Sequence, residues 1–226
     1  GQQLPGFTVV TGAELHGASY HLLALGLASL PDRDLADDEQ AIIDHVRAQG
    51  GLAAAAHPYW TRQSSAELAS LDGLLALEVY NTVCEIMDGL GYAGVHWDDL
   101  LGAGRRLCGL AVDDVHWHQG AQGRAFVMVR ASEASETAIL QALAQGAFYA
   151  STGPILADLT VNQAAADGPS LRVACSPCHS ITFHAKGPRG HRFVAPPGES
   201  LQGASWPLSA DQVFLRIECQ DEQGRI

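Results

Sequence analysis

The sequence predicts an α/β fold followed by a smaller β region, and two patterns carry this prediction. Through residues 7–150, short apolar runs alternate with stretches of helical spacing. Such alternation is typical of strand–helix–strand units around a mainly parallel sheet or barrel. After Ser151-Thr152-Gly153-Pro154, helical spacing gives way to short apolar runs between turns rich in Gly, Pro and Asp. We therefore expect an α/β domain over residues 1–154 and a small antiparallel β domain over residues 155–226.

The elements of the first domain are delimited by apolar runs, helix caps and glycines. Gly50-Gly51 ends one helical stretch, and serines at the starts of two others are favourable N-caps. The predicted strands are 7–15, 21–27, 52–56, 74–80, 107–112 and 125–129, and the predicted helices are 35–49, 65–71, 92–104 and 135–145. The predicted strands of the second domain are 156–161, 171–175, 181–185, 191–194 and 213–218.

Composition restricts the classes of function. The chain has 226 residues and a formal charge of −12, from 13 basic and 25 acidic residues. This balance argues against a nucleic-acid partner, which requires a basic face, but a bound metal ion can still attract a small anionic substrate. No apolar run approaches the roughly 18 residues of a membrane helix, so we expect no membrane partner. Five cysteines without regular spacing predict reduced thiols in a cytoplasmic protein.

Three apolar runs end on residues that commonly bind metals. Glu14 closes the first run, His57 closes the second, and Asp114-Val115-His116 closes the third. Side chains at the carboxyl ends of parallel strands converge on one edge of a sheet. Glu14, His57, Asp114 and His116 are therefore candidate metal ligands, and their oxygen and imidazole donors suit Zn, Mn or Fe. The alternatives are a rim carboxylate at Glu14 and a core histidine satisfied by a carbonyl at His57.

Other polar and aromatic residues near these strand ends are candidate substrate contacts. Asn81 ends a further strand, where its amide could orient a substrate, and Tyr59 follows His57, where it could wall a pocket or pack within its loop. His118 continues the spacing of His116 and lies either on the substrate side or in solvent.

Cys175-x-x-Cys178 is a single pair with no second cysteine pair at zinc-finger spacing. Ordinary strand-edge cysteines are one interpretation, and a structural zinc site is the other. The sequence also lacks a Gly-x-Ser-x-Gly elbow, a Walker loop and a Gly-x-Gly-x-x-Gly motif, which argues against an α/β-hydrolase and against nucleotide cradles.

Five segments together resemble the PHP (polymerase and histidinol phosphatase) superfamily. They are GAE at 12–14, QGGLAAAAHP at 49–58, LEVYN at 77–81, VDDVH at 112–116 and GAFYASTGP at 146–154. The resemblance implies a distorted (β/α)7 barrel with two or three metal ions at the carboxyl ends of its strands. It also implies a metal-dependent phosphoesterase acting on a small phosphorylated substrate, with Glu14, His57, Asp114 and His116 at metal-ligand positions. His21 lies near a histidine that often follows the glutamate strand in this family, and we expect it to contact the substrate.

The chain departs from the family pattern before Glu14. Family members open with His-x-His and a later Asp-His, and neither precedes Glu14 here. We therefore expect an incomplete barrel and an incomplete metal site, with a non-catalytic PHP-like binding or remnant module as the alternative function. An incomplete sheet exposes an edge near residues 7–14, which predicts a homo-oligomer through that edge.

Overall fold

The structure, a computed structural model, describes residues 6–117, 120–163 and 168–226. The chain divides between Ala150 and Ser151 into two compact units, Gly1–Ala150 and Ser151–Ile226. The two units are described separately below.

The first unit contains the helices and a five-stranded sheet, with most elements close to the predicted ranges. Three elements were not predicted: helices α2 and α4 and strand β7. The strands are β1 (Gly12–His16), β2 (His21–Leu25), β3 (Leu52–Ala55), β4 (Leu74–Asn81), β5 (Cys108–Val112), β6 (Phe126–Val129) and β7 (Phe148–Ser151), and the helices are α1 (Glu39–Ala48), α2 (Pro58–Thr61), α3 (Ser65–Ser70), α4 (Thr82–Asp88), α5 (Gly94–Gly102) and α6 (Glu136–Ala144).

The central sheet is mixed, with the strand order β1-β2-β3-β4-β5. Strand β2 is antiparallel to both of its neighbours, whereas β3, β4 and β5 are mutually parallel. The prediction of a mainly parallel sheet was therefore wrong on the β1–β2 side. Strands β6 and β7 form a separate two-stranded sheet. Within the described residues, β1 pairs only with β2, and self-association through this edge stays a prediction.

The connections explain the direction of β2. The four residues 17–20 between β1 and β2 are too few for the crossover that parallel strands need. After β2, the chain returns along the sheet before α1 begins, and Tyr20 Oη, beside the start of β2, donates to Ala36 O at 2.9 Å. Helix α1 then runs back towards the end of β2, so β3 must start there and run antiparallel to β2.

Both faces of the central sheet are covered, because alternate residues of β2 and β3 join two different apolar clusters. Leu22, Ala24, Ala53 and Ala55 belong to the larger cluster, with Ile42, Ile43 and Val46 of α1 and Leu100 of α5. Leu23 packs against the smaller cluster of Ala54, Ala76 and Leu110, which also receives Val127 of β6 and Phe148 of β7. Burial on both sides explains why β3 is apolar throughout.

Four helices begin at side-chain caps, and the cap of α4, Asn81, is described with the candidate site below. Asp38 accepts from the N–H of Ala41 at α1, and Ser135 accepts from the N–H of Ala138 at α6. Helix α3 has a capping box, in which Ser64 and Glu67 each satisfy the other's backbone N–H. The cap of α6 at Ser135 agrees with the predicted start of that helix, whereas α1 begins four residues later than predicted, after Asp38.

The second unit consists of two three-stranded antiparallel sheets. One has the order β12-β9-β8 and the other β11-β10-β13. Their buried side chains form one apolar cluster that includes Val173, Ile181 and Phe183. Strand β12 was not predicted; the strands are β8 (Leu156–Asn162), β9 (Ser170–Cys178), β10 (Ser180–Ala185), β11 (His191–Val194), β12 (Leu201–Pro207) and β13 (Leu215–Gln220).

Among the described residues, no helix combines the length and the apolar character that a membrane span requires.

Glu39, in the first turn of α1, provides a test of the packing of this helix. Burial raises the pKa of Glu39 to about 7, although the Gln63 amide donates to its Oε2 at 2.6 Å. Glu39 Oε1 and Gln63 Oε1 are both buried without a hydrogen-bond partner among the described residues. A protonated carboxyl or an amide at position 39 supplies the missing donor.

We therefore expect Glu39→Gln to stabilise the protein at pH 8 by about 1–2 kcal/mol. Because the pKa of Glu39 is raised in the folded state, the wild type loses stability as the pH rises from about 4.5 to about 7, and the gain should vanish at pH 4. Urea unfolding at both pH values measures the difference. Glu199→Gln, at an exposed carboxylate, is the control, and an equal effect at both pH values would contradict the assignment.

Candidate metal centre

One edge of the central sheet collects the candidate ligands. Strand β1 is antiparallel to β2, which is antiparallel to β3, so β1 runs in the same direction as β3, β4 and β5. The carboxyl ends of these four strands therefore share one edge. Strand β2 runs the other way, so its first residue, His21, lies at this edge as well.

A single oxygen of Glu14 lies among three imidazoles. Glu14 Oε1 is 2.8 Å from Nδ1 of His21, 3.1 Å from Nε2 of His57 and 3.3 Å from Nε2 of His16. The rings of His16 and His21 stack with their centroids 3.8 Å apart, because these two residues are paired across the β1–β2 hairpin. The structure thus brings predicted metal ligands Glu14 and His57 together and adds His21, which was predicted as a substrate contact.

His57 is held in an unusual backbone conformation directly after β3. Its φ is +26°, and Pro58 follows as the first residue of α2. Such backbone strain in a non-glycine residue is common at functional sites. His57 is only 4% exposed, and its backbone N–H donates to Glu78 Oε2 at 2.8 Å. Its Nδ1 atom is buried and has no hydrogen-bond partner among the described residues.

Asn81 links Asp114, another candidate ligand, to the buried carboxylate of Glu78. Its Nδ2 donates to Glu78 Oε2 at 2.9 Å and to Asp114 Oδ2 at 3.2 Å, and its Oδ1 accepts from the N–H of Cys84 at the start of α4. Asn81 is fully buried. The donor and acceptor atoms of this side chain thus bond to Glu78, Asp114 and the start of α4, and the role of the Asn81 amide in orienting a substrate stays a prediction.

Asp114 and His116 do not lie on an extended strand, so their side chains are not placed on the same side by strand alternation. Strand β5 ends at Val112, and Asp114 has a φ of +52°, so the alternation of side chains stops before His116. His116 lies close to Asp114, with Nδ1 3.0 Å from the Asp114 backbone oxygen, and its side chain is 56% exposed. His118 lies outside the described residues.

Asp113 has a separate role as a loop anchor. Its carboxylate accepts from the backbone N–H groups of Arg124 at 3.0 Å and Ala125 at 2.8 Å, and from the hydroxyl of Thr82 at 3.3 Å. These bonds hold the chain between β5 and β6 beside the start of α4.

The electrostatics of the cluster keep a negative charge at its centre. The hydrogen bond from His57 lowers the pKa of Glu14 to about 2, with His21 contributing. Burial lowers the pKa of His21, which leaves this imidazole neutral at pH 7. Burial also lowers the pKa of His57, but the hydrogen bond to Glu14 and the charges of Glu78 and Asp114 outweigh it and raise the pKa.

Two further buried groups sit beside these ligands. Burial raises the pKa of the Glu78 carboxyl to about 7, against the opposing hydrogen bond from Asn81. Burial likewise raises the pKa of the Cys84 thiol to about 12, so this side chain is uncharged at neutral pH.

Trp60, rather than Tyr59, lies against the imidazoles. The Trp60 ring centroid is 5.2 Å from that of His57 and 5.6 Å from that of His21, and its indole N–H donates to Asp88 at 2.8 Å. Tyr59 instead lies 6.0 Å from the ring of His96. Trp60 therefore forms one wall of the site.

Two triads in this region could each hold a metal ion. The ligand atoms of Glu14, His21 and His57 lie within 4.8 Å of one another, and so do those of His57, Cys84 and Asp114. His57 belongs to both triads, and His116 belongs to neither. The partnerless Nδ1 of His57 and the imidazole and carboxylate donors fit Zn, Mn or Fe ions. The residues at this edge therefore fit the predicted metal cofactor.

Sequence reasoning placed His21 among the substrate contacts rather than beside Glu14, and it did not identify Cys84. The direction of β2 could have identified the position of His21, because only an antiparallel second strand brings its first residue to this edge. Cys84 lies in α4, a helix that was not predicted.

Comparison with known proteins supports the fold. No protein family model matches the chain, and no curated protein matches it. One similar solved structure is a two-domain protein from Bacteroides vulgatus ATCC 8482 containing a predicted PHP-like metal-dependent phosphoesterase. It has 15% identical residues and a TM-score of 0.51, over 88% of this chain and 66% of that chain. The likeness establishes a shared α/β architecture, with the chain spanning just under two thirds of the longer protein.

Asn81 should contribute more to stability than an ordinary helix cap. We expect Asn81→Ala to lower the free energy of unfolding by about 2–4 kcal/mol, because it removes the α4 cap and two bonds to buried carboxylates. Ser135→Ala, which removes the cap of α6, should cost about 1 kcal/mol. Chemical denaturation of both variants tests the difference, and equal losses would show that the links to Glu78 and Asp114 carry no stability.

Proposed function

We propose that the α/β unit is a PHP-type metal-dependent phosphoesterase that hydrolyses a small phosphorylated substrate. The observation that carries the proposal is the placement of one Glu14 oxygen within 3.3 Å of three imidazole nitrogens. The distant likeness to a PHP-like protein supports the same class. In this proposal the sheet is the core of a distorted PHP barrel.

Glu14, His21 and His57 would hold one divalent ion. Asp114 and Cys84 form an alternative triad with His57, whose neutral imidazole offers one nitrogen lone pair and so serves one ion at a time. A bound divalent ion supplies Lewis-acid polarisation of a phosphoryl oxygen and acidifies water near neutral pH. Such an ion would also offset the formal charge of −12, which repels a phosphate group from the chain as a whole.

The residues of the chain orient the ligands and limit access to them. The Glu78 carboxylate fixes the backbone of His57, and the Asn81 amide fixes the carboxylate of Asp114. Holding these two ligands reduces the reorganisation needed when the substrate arrives. Trp60 would cover one side of the imidazoles and reduce the access of water, while Tyr59 and His116 would contact the substrate.

Metal binding tests the ligand set directly. We expect the metal-free protein to bind Mn²⁺, and Glu14→Gln and His57→Ala each to weaken that binding by at least about tenfold. His45→Ala, on α1 and outside both triads, is the matched control and should bind as the wild type does. Isothermal titration calorimetry measures the affinities. Unchanged affinity in both ligand variants would overturn the assignment.

Hydrolysis tests the reaction. We expect the metal-loaded protein to release p-nitrophenol from p-nitrophenyl phosphate or its diester, with loss of at least about a hundredfold in kcat/KM for His57→Ala and none for His45→Ala. Metal binding without turnover of either ester would argue against this activity and favour a non-catalytic PHP-like binding module.

A further inference from the structure

Three buried cysteines meet in the core of the second unit. The Sγ atoms of Cys175, Cys178 and Cys219 lie within 4.8 Å of one another, and those of Cys175 and Cys178 are 3.9 Å apart. All three residues are at most 6% exposed. The sequence indicated only the Cys175–Cys178 pair, because Cys219 lies on a different strand, 41 positions after Cys178.

An irregularity in β9 brings the two nearby cysteines to the same side. Residues three apart on a regular strand face opposite sides of a sheet. In β9 the inward positions alternate at 171, 173 and 175, and the next inward residue is Cys178 rather than residue 177. The register against β12 shifts in this stretch, because Leu201 pairs with Cys178 and Gly203 pairs with Ala174.

The irregular stretch of β9 is a bulge at Ser176-Pro177, and hydrogen bonds between Ser176 and Ile155 stabilise it. Ser176 donates its N–H to Ile155 O at 2.8 Å and accepts the Ile155 N–H on its hydroxyl at 3.0 Å. Pro177, which has no N–H, occupies the position where a ladder bond is missing. Bulges of this kind commonly re-aim a side chain next to a functional site.

Cys219 completes the cluster from the other sheet. It lies on β13, paired with Ile181 of β10, whereas Cys175 and Cys178 lie on β9. The three thiols therefore connect the two sheets of this unit.

We propose that Cys175, Cys178 and Cys219 form a site for a thiophilic metal ion such as Zn²⁺, which ties the two sheets together. With Zn–S bonds of about 2.3 Å, two sulfurs of a tetrahedral site lie about 3.8 Å apart, close to the observed separation of Cys175 and Cys178. Thiolates are the ligands that select Zn²⁺ and other soft ions. Binding displaces the thiol protons, which leave to solvent.

The fourth ligand comes from outside the chain. Among the described residues, no fourth histidine, cysteine or carboxylate has a ligand atom within 4.8 Å of all three sulfurs. The oxygens of the nearby Asp221 already accept hydrogen bonds from Gln223 and Arg225, and His179 lies 3.7 Å from Glu222 with a side chain that is 42% exposed. Water or a small anion would take the remaining position.

The test must separate this site from the candidate centre in the first unit. The full-length chain carrying His57→Ala, kept reduced with a phosphine, is titrated with Cd²⁺ as the spectroscopic probe. We expect one equivalent per chain to give a thiolate-to-cadmium charge-transfer band, with zinc competing for the same site. The result does not depend on activity, so it stands or falls independently of the proposed phosphoesterase.

Cysteine variants identify the ligands. In the same background, Cys219→Ser should weaken cadmium binding at least tenfold, whereas Cys84→Ser and Cys108→Ser should leave the band unchanged. X-ray absorption of the zinc-loaded His57→Ala chain should show three sulfur neighbours, a measurement that does not require the cysteine variants to fold. Absence of the band in the reduced chain, or its loss in Cys84→Ser, would overturn the proposal.

Discussion

The carboxylate of Glu14 is the contact on which the geometry of the candidate metal centre depends. Its Oε1 atom lies between histidines from three adjacent segments, namely β1, the start of β2 and the end of β3. Three imidazoles can gather at one oxygen only because it remains charged, and the pKa of Glu14 at about 2 ensures that charge over the whole physiological range. The carboxylate thus contacts all three imidazoles and keeps them close together.

Buried hydrogen bonds behind these ligands determine how precisely they are held. Glu78 and Asn81, both on β4, connect the backbone of His57 to the side chain of Asp114. Both linked residues have positive φ angles, at +26° and +52°. Each such conformation costs on the order of 1–3 kcal/mol, and buried hydrogen bonds of this kind are what maintain it. The strained residues and their supporting bonds therefore form one unit, placed at the edge where parallel strands end.

The sequence predicted where the ligands end up more successfully than how they are arranged. His57 was predictable because an apolar strand and a following proline define both its depth and its turn. The position of His21 beside Glu14 was not predictable, since an apolar run carries no information about strand direction, and β2 proved antiparallel. The sequence placed Asp114 and His116 at the end of one strand, but β5 ends at Val112 and Asp114 has a positive φ angle.

Irregularities within a strand are equally hard to predict from hydrophobic periodicity. The Cys-x-x-Cys spacing in β9 suggests two thiols on opposite faces, and only the bulge at Ser176-Pro177 turns both inwards. The position of Asn81 in the sequence was also compatible with two roles. An asparagine at a strand end can contact a substrate or cap the next helix, and Asn81 caps α4. In each case the missing information is a backbone conformation, which hydrophobic periodicity does not encode.

The two ligand clusters differ in chemistry in a way that bears on which ion each would take. Glu14, His21 and His57 offer one charged oxygen and two nitrogens, which bind Mn, Fe or Zn, whereas the three thiols offer only sulfur. A hard ion such as Mn²⁺ gains little from thiolates, so it discriminates between the clusters, while Zn²⁺ does not. The zinc content of protein purified in the presence of zinc would therefore be the sum of the ions bound at both clusters. Manganese binding, in contrast, would report on the Glu14 cluster alone. Because a thiolate site also ties sheets together, zinc bound there would change stability without changing the geometry around Glu14.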